Sequence, residues 1–528
     1  MIENGFFELA FPGIVALFIL IALFIIFVWL PRVFKRHSIF LSLIQRYSLK
    51  DIFIWMFKNT EIRRRVLITI GILIILRIMF FIPLPGINIS ALQDFLGKIQ
   101  NPFFSTKIEL FTKMARSLTI FSLGLMPFFS ACLLLQIGSI FLPFLRRLTF
   151  GGEQGRNGLL RYTYILTILL SILQAYFLTS WILIKEPHLV ALPAWQFRLI
   201  TIPILVGAVI LLLFIADIIT RYGIGNGVAV IVVSYFPIRL LLATKEVAIL
   251  LFQIKQISDG IVYSLIILLI GIIWGSFYFT RMGKIIEIRN KNLQENSIYL
   301  RPTIVGYIPL GWTNTIIFLF AVHLPFLKSS LFVRFLIPII KCILVFVLTY
   351  VYALIVFKPK YIQNLLKTYG VTVIEEDSRF IDRFLKYNLK KVLIFTGLFL
   401  IGVMFIPDLI THLLKMPSYA IVSLFDWAVL IPFVGVISDI IQQLEFFKDK
   451  ESSGKTWSIC YIALGENEAN IKKAYLISQG IPSLVEPLRF SWGMPIRTIV
   501  DQYRIYVPKD KKEMARNLIL ELEKNTKN

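Results

Sequence analysis

LTIFSLGLMPFFSACLLLQIGSIFLPFLRRLTFGGEQGRNGLLRYTYILTILLSILQ, residues 118–174, decides how the rest of this sequence is read. Two apolar arms flank a basic, glycine-rich segment that holds Arg146, Arg147, Gly151, Gly152, Glu153, Gly155 and Arg156. The first arm starts at Leu118 and carries a Gly-Leu-Met-Pro interruption at Gly124–Pro127; the second rises from Tyr162. Each arm is long enough to cross a bilayer, which takes about 20 residues. Arginine resists translocation, so the segment between the arms is expected on the cytoplasmic side. Ser130, Cys132, Gln136 and Gln174 are costly against lipid and are expected to face protein or a water-filled space.

Outward from this stretch the chain keeps the same character. Of its 528 residues 57% are hydrophobic and 16% charged, and the mean hydropathy is +0.78. Ordinary soluble domains carry about 25% charged residues, so the composition defines a multi-spanning membrane protein. The net charge of +24 sits between apolar spans, which points to anionic lipid headgroups and cytoplasmic partners rather than DNA. Cys132, Cys342 and Cys460 lie far apart without a CxxC pair, so neither a disulfide framework nor a zinc site is implied.

Residues 11–30 form one apolar segment with Glu3 and Glu8 before it and Arg32, Lys35 and Arg36 after it. That charge order predicts a retained span over 1–32 with its N-terminus outside, not a cleaved signal. Residues 33–65 mix bases with aromatics and end in Arg63-Arg64-Arg65, as an amphipathic surface segment does. A first core span is expected over 66–83, with Arg77 turned away from lipid. Further spans are expected near 159–184, 196–219, 226–244, 258–280, 304–325, 331–357, 390–411 and 420–443, and the loops at 145–162, 281–301 and 358–391 are the basic, inside ones. Residues 446–456 read as a polar linker, and 457–528 as a soluble module with strands at 458–464, 481–486 and 503–508 and helices at 466–479 and 510–525.

Nucleotide chemistry is not indicated. Gly151–Arg156 lacks the Gly-Lys-Ser/Thr ending of a P-loop. Gly223–Gly227 follows an apolar span, not a strand of a βαβ unit. His37, His188, His323 and His412 are scattered, and no nucleophile–base pair is apparent. No catalytic residue, metal or cofactor is expected.

The phrase Leu123-Gly124-Leu125-Met126-Pro127-Phe128-Phe129-Ser130-Ala131 resembles the second core helix of the SecY family, the membrane core of the protein-conducting translocon. Glu153-x-Gly155-Arg156 with Tyr162-Thr163 is similar to the hairpin after it. Arg77-x4-Ile82-Pro83-x-Pro85-Gly86 upstream and Gly223-Ile224-Gly225-Asn226-Gly227 downstream fall in family order, and the likeness runs over roughly 60–445. It implies an all-α polytopic fold, a ten-helix SecY-like core at 66–445 in two pseudo-symmetric halves; the small cytoplasmic α+β (βαββα) domain behind it is read from its own order of strands and helices and is not required by the resemblance.

The same resemblance implies roles. A ring of apolar side chains would seal the pore: Leu125 and Phe129 from the second core helix, Val228 and Val232 from the fifth. Members of each pair are four apart and so share a helix face. The other two contributing helices offer Gly311 beside Leu310, and Leu430 or Ile431. Ser130, Gln174 and Thr303 match polar positions of a lateral gate. Arg156, Arg289, Lys291, Arg379, Arg383 and Lys386 would form the docking loops for whatever drives the substrate. Glu109–Lys113 occupies the place of a plug, without the glycine-rich stretch expected after it.

The implied function is to pass unfolded preproteins across the plasma (inner) membrane of a bacterium and apolar segments into lipid. SecE-like and SecG-like small subunits and a SecA-like ATPase or the ribosome would be the partners. A divergent accessory paralogue and a small-solute transporter are the alternatives. The transporter would need functional charges near mid-membrane, for which Arg77, Asp217, Asp426 and Asp439 are the candidates.

Overall fold

The computed structural model describes residues 49–91 (save 81 and 89), 118–234 (save 151 and 186), 331–373 (save 358), 381–414, 427–488 (save 464) and 502–525. Between 234 and 331 it describes two strands and a few scattered helical positions. The extra N-terminal span, the plug segment, Thr303, Lys291 and Arg379 lie outside the described residues. The described parts fall into two compact units, one from 50–234, 439–490 and 494–528, the other within 235–438.

In the first unit α1 (Leu49–Lys58) leads into α2 (Thr60–Met79). Asn59 caps α2, its side chain accepting from the Ile62 amide at 3.1 Å. The boundary expected at residue 66 therefore falls at residue 59, and Arg63–Arg65 belong to the first turns of the core helix. Trp55 and Asn59 both donate to the Glu451 carboxylate, at 2.8 and 3.0 Å. On α2, Leu67, Ile74, Ile75 and Ile78 stay exposed, as an outer face against lipid or a partner must be.

The second core helix, α3, runs Met126–Phe141 and does not start at Leu118 as expected. Ser122 Oγ accepts from the Thr119 amide at 2.9 Å and donates to its carbonyl at 2.6 Å, so 118–125 folds as turns. Pro127, lacking an amide hydrogen, suits only the first helical turn. Leu142 is extended ahead of Pro143 and ends α3. The expected glycine-rich hairpin is mostly helical too, α4 (Pro143–Phe150) followed by α5 (Gly152–Lys185). A Cβ on Gly155 would lie 2.3 Å from the Leu148 carbonyl oxygen, so only glycine lets these two helices meet.

The 34-residue α5 packs against α3, α4 and α6 (Ala194–Tyr222). Its buried face carries Thr163, Thr167, Ser171 and Thr179, each donating to the carbonyl four residues back, at 2.6–3.0 Å. Buried hydroxyls are thus satisfied within the helix and small enough for close packing. Residues 155–184 and 194–222 are each long and apolar enough to span a bilayer. At the α2 C-terminal end, Pro83 bridges Thr119 and Ile87 bridges Val190. Leu84, Ile87, Leu118, Ile182, Leu189 and Phe197 form the buried core beneath these bridges. After α6 a turn leads into α7 (Gly227–Val233).

In the second unit β1 (Lys284–Arg289) and β2 (Glu295–Leu300) form an antiparallel hairpin, Lys284 opposite Leu300 and Arg289 opposite Glu295. Helices α8 (Leu331–Phe357) and α9 (Pro359–Thr368) come next, and β3 (Thr372–Val373) pairs with β1. Both helices pack on α10 (Ile381–Leu414). The described residues of the expected inside loops at 281–301 and 358–391 thus lie mostly in strands and helices, and the basic residues from 383 onward lie on α10. Its exposed face carries Arg383, Lys386, Lys390 and Lys391, spaced to share one side of the helix. Lys386 pairs with Asp382 at 2.7 Å.

The last membrane helix, α11 (Trp427–Ser452), joins the first unit from Asp439 onward. It runs seven residues into the expected linker at 446–456, which leaves only a turn at 453–456. Behind it the C-terminal module has β4 (Trp457–Ala463), α12 (Glu466–Ser478), β5 (Leu484–Leu488), β6 (Gln502–Pro508) and α13 (Lys512–Asn525). The sheet is antiparallel in order β4-β6-β5. Strand β5 starts later than 481 because the Ile481 amide bonds back to the Leu476 carbonyl at 2.9 Å, closing α12 through Gly480.

Inside the module Lys472 is 1% exposed. Its Nζ donates to Glu468 at 2.7 Å and Glu523 at 2.6 Å and lies 3.6 Å from the Tyr461 ring centroid. Burial, then the Glu468 charge, pushes the Tyr461 phenol well above its ordinary range. The phenol therefore stays a donor, to Glu523 at 2.7 Å. Lys472→Met is expected to destabilise the module by about 3 kcal/mol, because it strands two carboxylates among buried groups. Denaturant unfolding of the full chain, followed through Trp457 fluorescence, checks this; a midpoint within error of wild type would show the cluster to be dispensable. Cys460 is an inert core thiol, pushed up to about 12 by burial.

Candidate functional site

The apolar residues expected at the constriction come from two helix starts, α3 and α7. Leu125 is the residue before α3, and its carbonyl accepts from the Phe129 amide at 3.1 Å. The two therefore stack at a helical spacing although only Phe129 is in the helix. Leu125 is buried, whereas Phe129 is half-buried. On α7 the pattern repeats, with Val228 buried and Val232 half-buried. Leu310 is buried as well.

The turn before α7, Gly223–Gly227, is held from several sides. Asn226 caps α7, its Oδ1 accepting from the Val228 and Ala229 amides at 3.1 and 3.3 Å. Thr69 on α2 accepts from the Ile224 amide at 2.9 Å and donates to the Arg65 carbonyl at 3.0 Å. The Arg65 guanidinium donates to the carbonyls of Arg221 and Gly223 at 3.4 and 3.3 Å, and it stacks 5.1 Å from the Phe447 ring centroid. Thr220 accepts from the Gly227 amide at 2.9 Å. Gln443 on α11 accepts from the Gly225 amide at 2.7 Å. A Cβ on Gly227 would lie 1.9 Å from the Ala216 carbonyl oxygen, so α7 starts in contact with the α6 backbone. The amides a phosphate would need are already used, which agrees with a structural turn.

Two of the three expected gate residues meet. Gln174 Nε2 on α5 donates to Ser130 Oγ on α3 at 3.3 Å, and Ser130 donates to the Met126 carbonyl at 2.9 Å. Both side chains are half-buried. Arg156, expected on a docking loop, is instead 9% exposed near the start of α5, where its guanidinium donates to Asn157 at 3.5 Å. Its place in the α4–α5 packing removes it from the surface. Arg383 and Lys386 are exposed on α10, and Arg289 ends β1 opposite Glu295.

Thr69, Arg65 and Gln443, which hold the turn before α7, received no role from the sequence. The available signals were Arg65 closing a triple-arginine run and a Gln442-Gln443 pair ending an apolar span.

Long apolar helices, two of them able to span a bilayer, in a chain of high mean hydropathy define the class: a polytopic helical membrane protein. The family model for SecY matches residues 119–441, and the chain belongs to the SecY family. The SecY translocase subunit of Thermus thermophilus is 30% identical over 420 residues, 73% of this chain and 92% of that protein. The Aquifex aeolicus SecY subunit is 28% identical, over 74% and 96%. A solved SecY channel structure, described for its plug domain, aligns over 74% of this chain and 93% of its own, at 15% identity and a TM-score of 0.47. The chain is a translocon channel subunit; neither the accessory paralogue nor the small-solute transporter is favoured. The matched residues end before the C-terminal module begins.

Proposed function

We propose that unfolded polypeptides pass between α3 and α7, with Leu125, Phe129, Val228 and Val232 forming the seal. Family membership across 119–441 is the observation that carries this reading. The half-buried Phe129 and Val232 support it, since ring residues must be supported from one side and free on the other. Ser130 and Gln174, with Thr303, act as the lateral gate. A polar contact between membrane helices is worth about 0.6 kcal/mol on average, weak enough for an apolar signal segment to replace it.

Arg289, Arg383 and Lys386, with Lys291 and Arg379, form the cytoplasmic docking face. The exposed basic side of α10 favours an acidic motor surface or ribosomal RNA there. SecE-like and SecG-like subunits cover the apolar faces left open. The ten-span core with two pseudo-symmetric halves, the extra N-terminal span with its outside terminus, and the cytoplasmic α+β module complete the reading. Crosslinking a stalled secretory chain tests it. Leu125→Cys and Val228→Cys are expected to trap the translocating segment, and Ser130→Cys and Gln174→Cys the apolar signal segment. Equal crosslinking at Arg383→Cys and at the four interior positions would refute the path.

A further inference from the structure

The C-terminal module lies outside the residues matched by the family model, yet it is joined through Gln443 of α11 to the turn before α7. The side chain of Gln443 is 2% exposed and works in two directions. Its Oε1 accepts from the Gly225 amide at 2.7 Å, and its Nε2 donates to Glu486 Oε1 at 2.9 Å. The orientation of the amide is dictated by chemistry: a backbone N–H can only donate, and the Glu486 oxygen accepts. Glu486, on β5 of the module, is 1% exposed. Its Oε2 accepts from the Tyr506 hydroxyl at 2.8 Å and lies 3.6 Å from the Arg504 guanidinium. Burial, and then the Glu486 charge, pushes the Tyr506 phenol upward, which keeps it a donor to Glu486. Phe446 packs on the Tyr506 ring at 5.2 Å and Lys450 Nζ sits 4.9 Å from its centroid, so the same module residue is gripped by two further α11 side chains.

Gly225 lies two residues before α7, whose second residue is Val228. A shift of this turn moves the helix start, because Asn226 caps α7 and Gly227 rests on α6 without room for a side chain. Removing the Gln443 side chain would take away the partner of the buried Gly225 amide and of Glu486 Oε1, leaving Glu486 held only through Oε2 by Tyr506 and Arg504. Nothing in a polar linker requires such a contact; a module that merely hung from α11 would present solvated groups here.

We propose that Gln443 and Glu486 are positioning residues for the constriction: the module is a strap that holds the Gly225 turn, and through it α7, in the resting position. The effect on the seal rests on the assignment of Val228 and Val232 to the ring, whereas the effect on the turn does not.

The test is a polarity swap in the full chain, purified with its membrane partners. Gln443→Glu keeps an acceptor for Gly225 but puts an acceptor where Glu486 needs a donor. It is expected to speed hydrogen exchange of the peptide spanning 223–228 by about tenfold and to raise resting ion conductance. Adding Glu486→Gln reverses the bond: the new amide donates to residue 443 and its carbonyl still accepts from Tyr506. The double variant is expected to return both readings to within about twofold of wild type. Rescue cannot arise from a chain that fails to fold, and protection of the β4–β6 ladder in the same data reports the module itself. Unchanged exchange in Gln443→Glu, or exchange that rises and is not restored by the second substitution, overturns the strap. Exchange that rises and is restored while conductance never changes leaves the strap standing and removes α7 from the ring.

Discussion

Phe129→Ser is expected to raise resting ion conductance on the order of tenfold while leaving the protein folded. The aromatic ring is half-buried at the start of α3, stacked one turn from Leu125 and beside Phe128 at 6.0 Å between centroids. A narrow apolar ring excludes water and has no groups to replace an ion's hydration shell. Serine removes most of that bulk and adds a donor and an acceptor, so the passage wets. Helix formation is not at stake, since serine is tolerated in a first turn and Pro127 already defines the start. If Phe129 were only core packing, the substitution would instead lower the unfolding midpoint by about 3 kcal/mol of stability and leave bilayer currents alone. Planar-bilayer recordings alongside thermal melts separate the two outcomes. Wild-type current in a well-folded variant excludes Phe129 from the seal.

Gly227→Ala is expected to cost about 3 kcal/mol of stability. The added Cβ would sit 1.9 Å from the Ala216 carbonyl oxygen and 2.7 Å from its carbonyl carbon, and backbone cannot rotate away as a side chain can. Helices α6 and α7 must separate, and the Gly227 amide then loses Thr220. Because α7 carries Val228 and Val232, a folded remnant is expected to conduct as well. Expression yield and thermal stability in detergent check the claim. A Gly227→Ala protein with the wild-type melting temperature would mean that α7 does not start against α6.

The two variants differ in how far the sequence reaches. Phe129 could be named only through the family resemblance of the phrase around Pro127, since its spacing from Leu125 fits ordinary packing as well. Gly227 could be seen to lie in a turn, but not to touch Ala216; that contact depends on the crossing of two helices.

Local chemistry accounts for much of the rest. Among the described residues, two expected spans coincide with helices: α6 was expected at 196–219 and lies at Ala194–Tyr222, and α8 was expected at 331–357 and lies at Leu331–Phe357. In the module the strand expected at 458–464 lies at Trp457–Ala463, since alternation of apolar residues needs no tertiary information. Errors concentrate where short-range polar bonds compete with helix. Ser122 diverts 118–125 into turns, and Asn59 starts α2 ahead of the triple-arginine run. Charge counting also misled at 145–162 and 358–391, where basic residues read as loop are helical. Arginine and lysine are good helix formers, so charge marks the side of the membrane and not the absence of structure.

By itself the sequence determined the membrane class, the family phrases and the helices that coincide with long apolar runs, because each rests on composition or on residues within one or two turns of each other; the apolar candidates at the seal came from the family resemblance. Only the tertiary structure decided that Arg156 is buried, that Gln174 meets Ser130 across 44 positions, and that Gln443 joins Gly225 to Glu486 across 218 and 43. Those pairings depend on which helix faces which. A polar side chain in an apolar run announces that it needs a partner without saying where the partner lies, and the packing of α2, α6, α11 and the module supplies the answer.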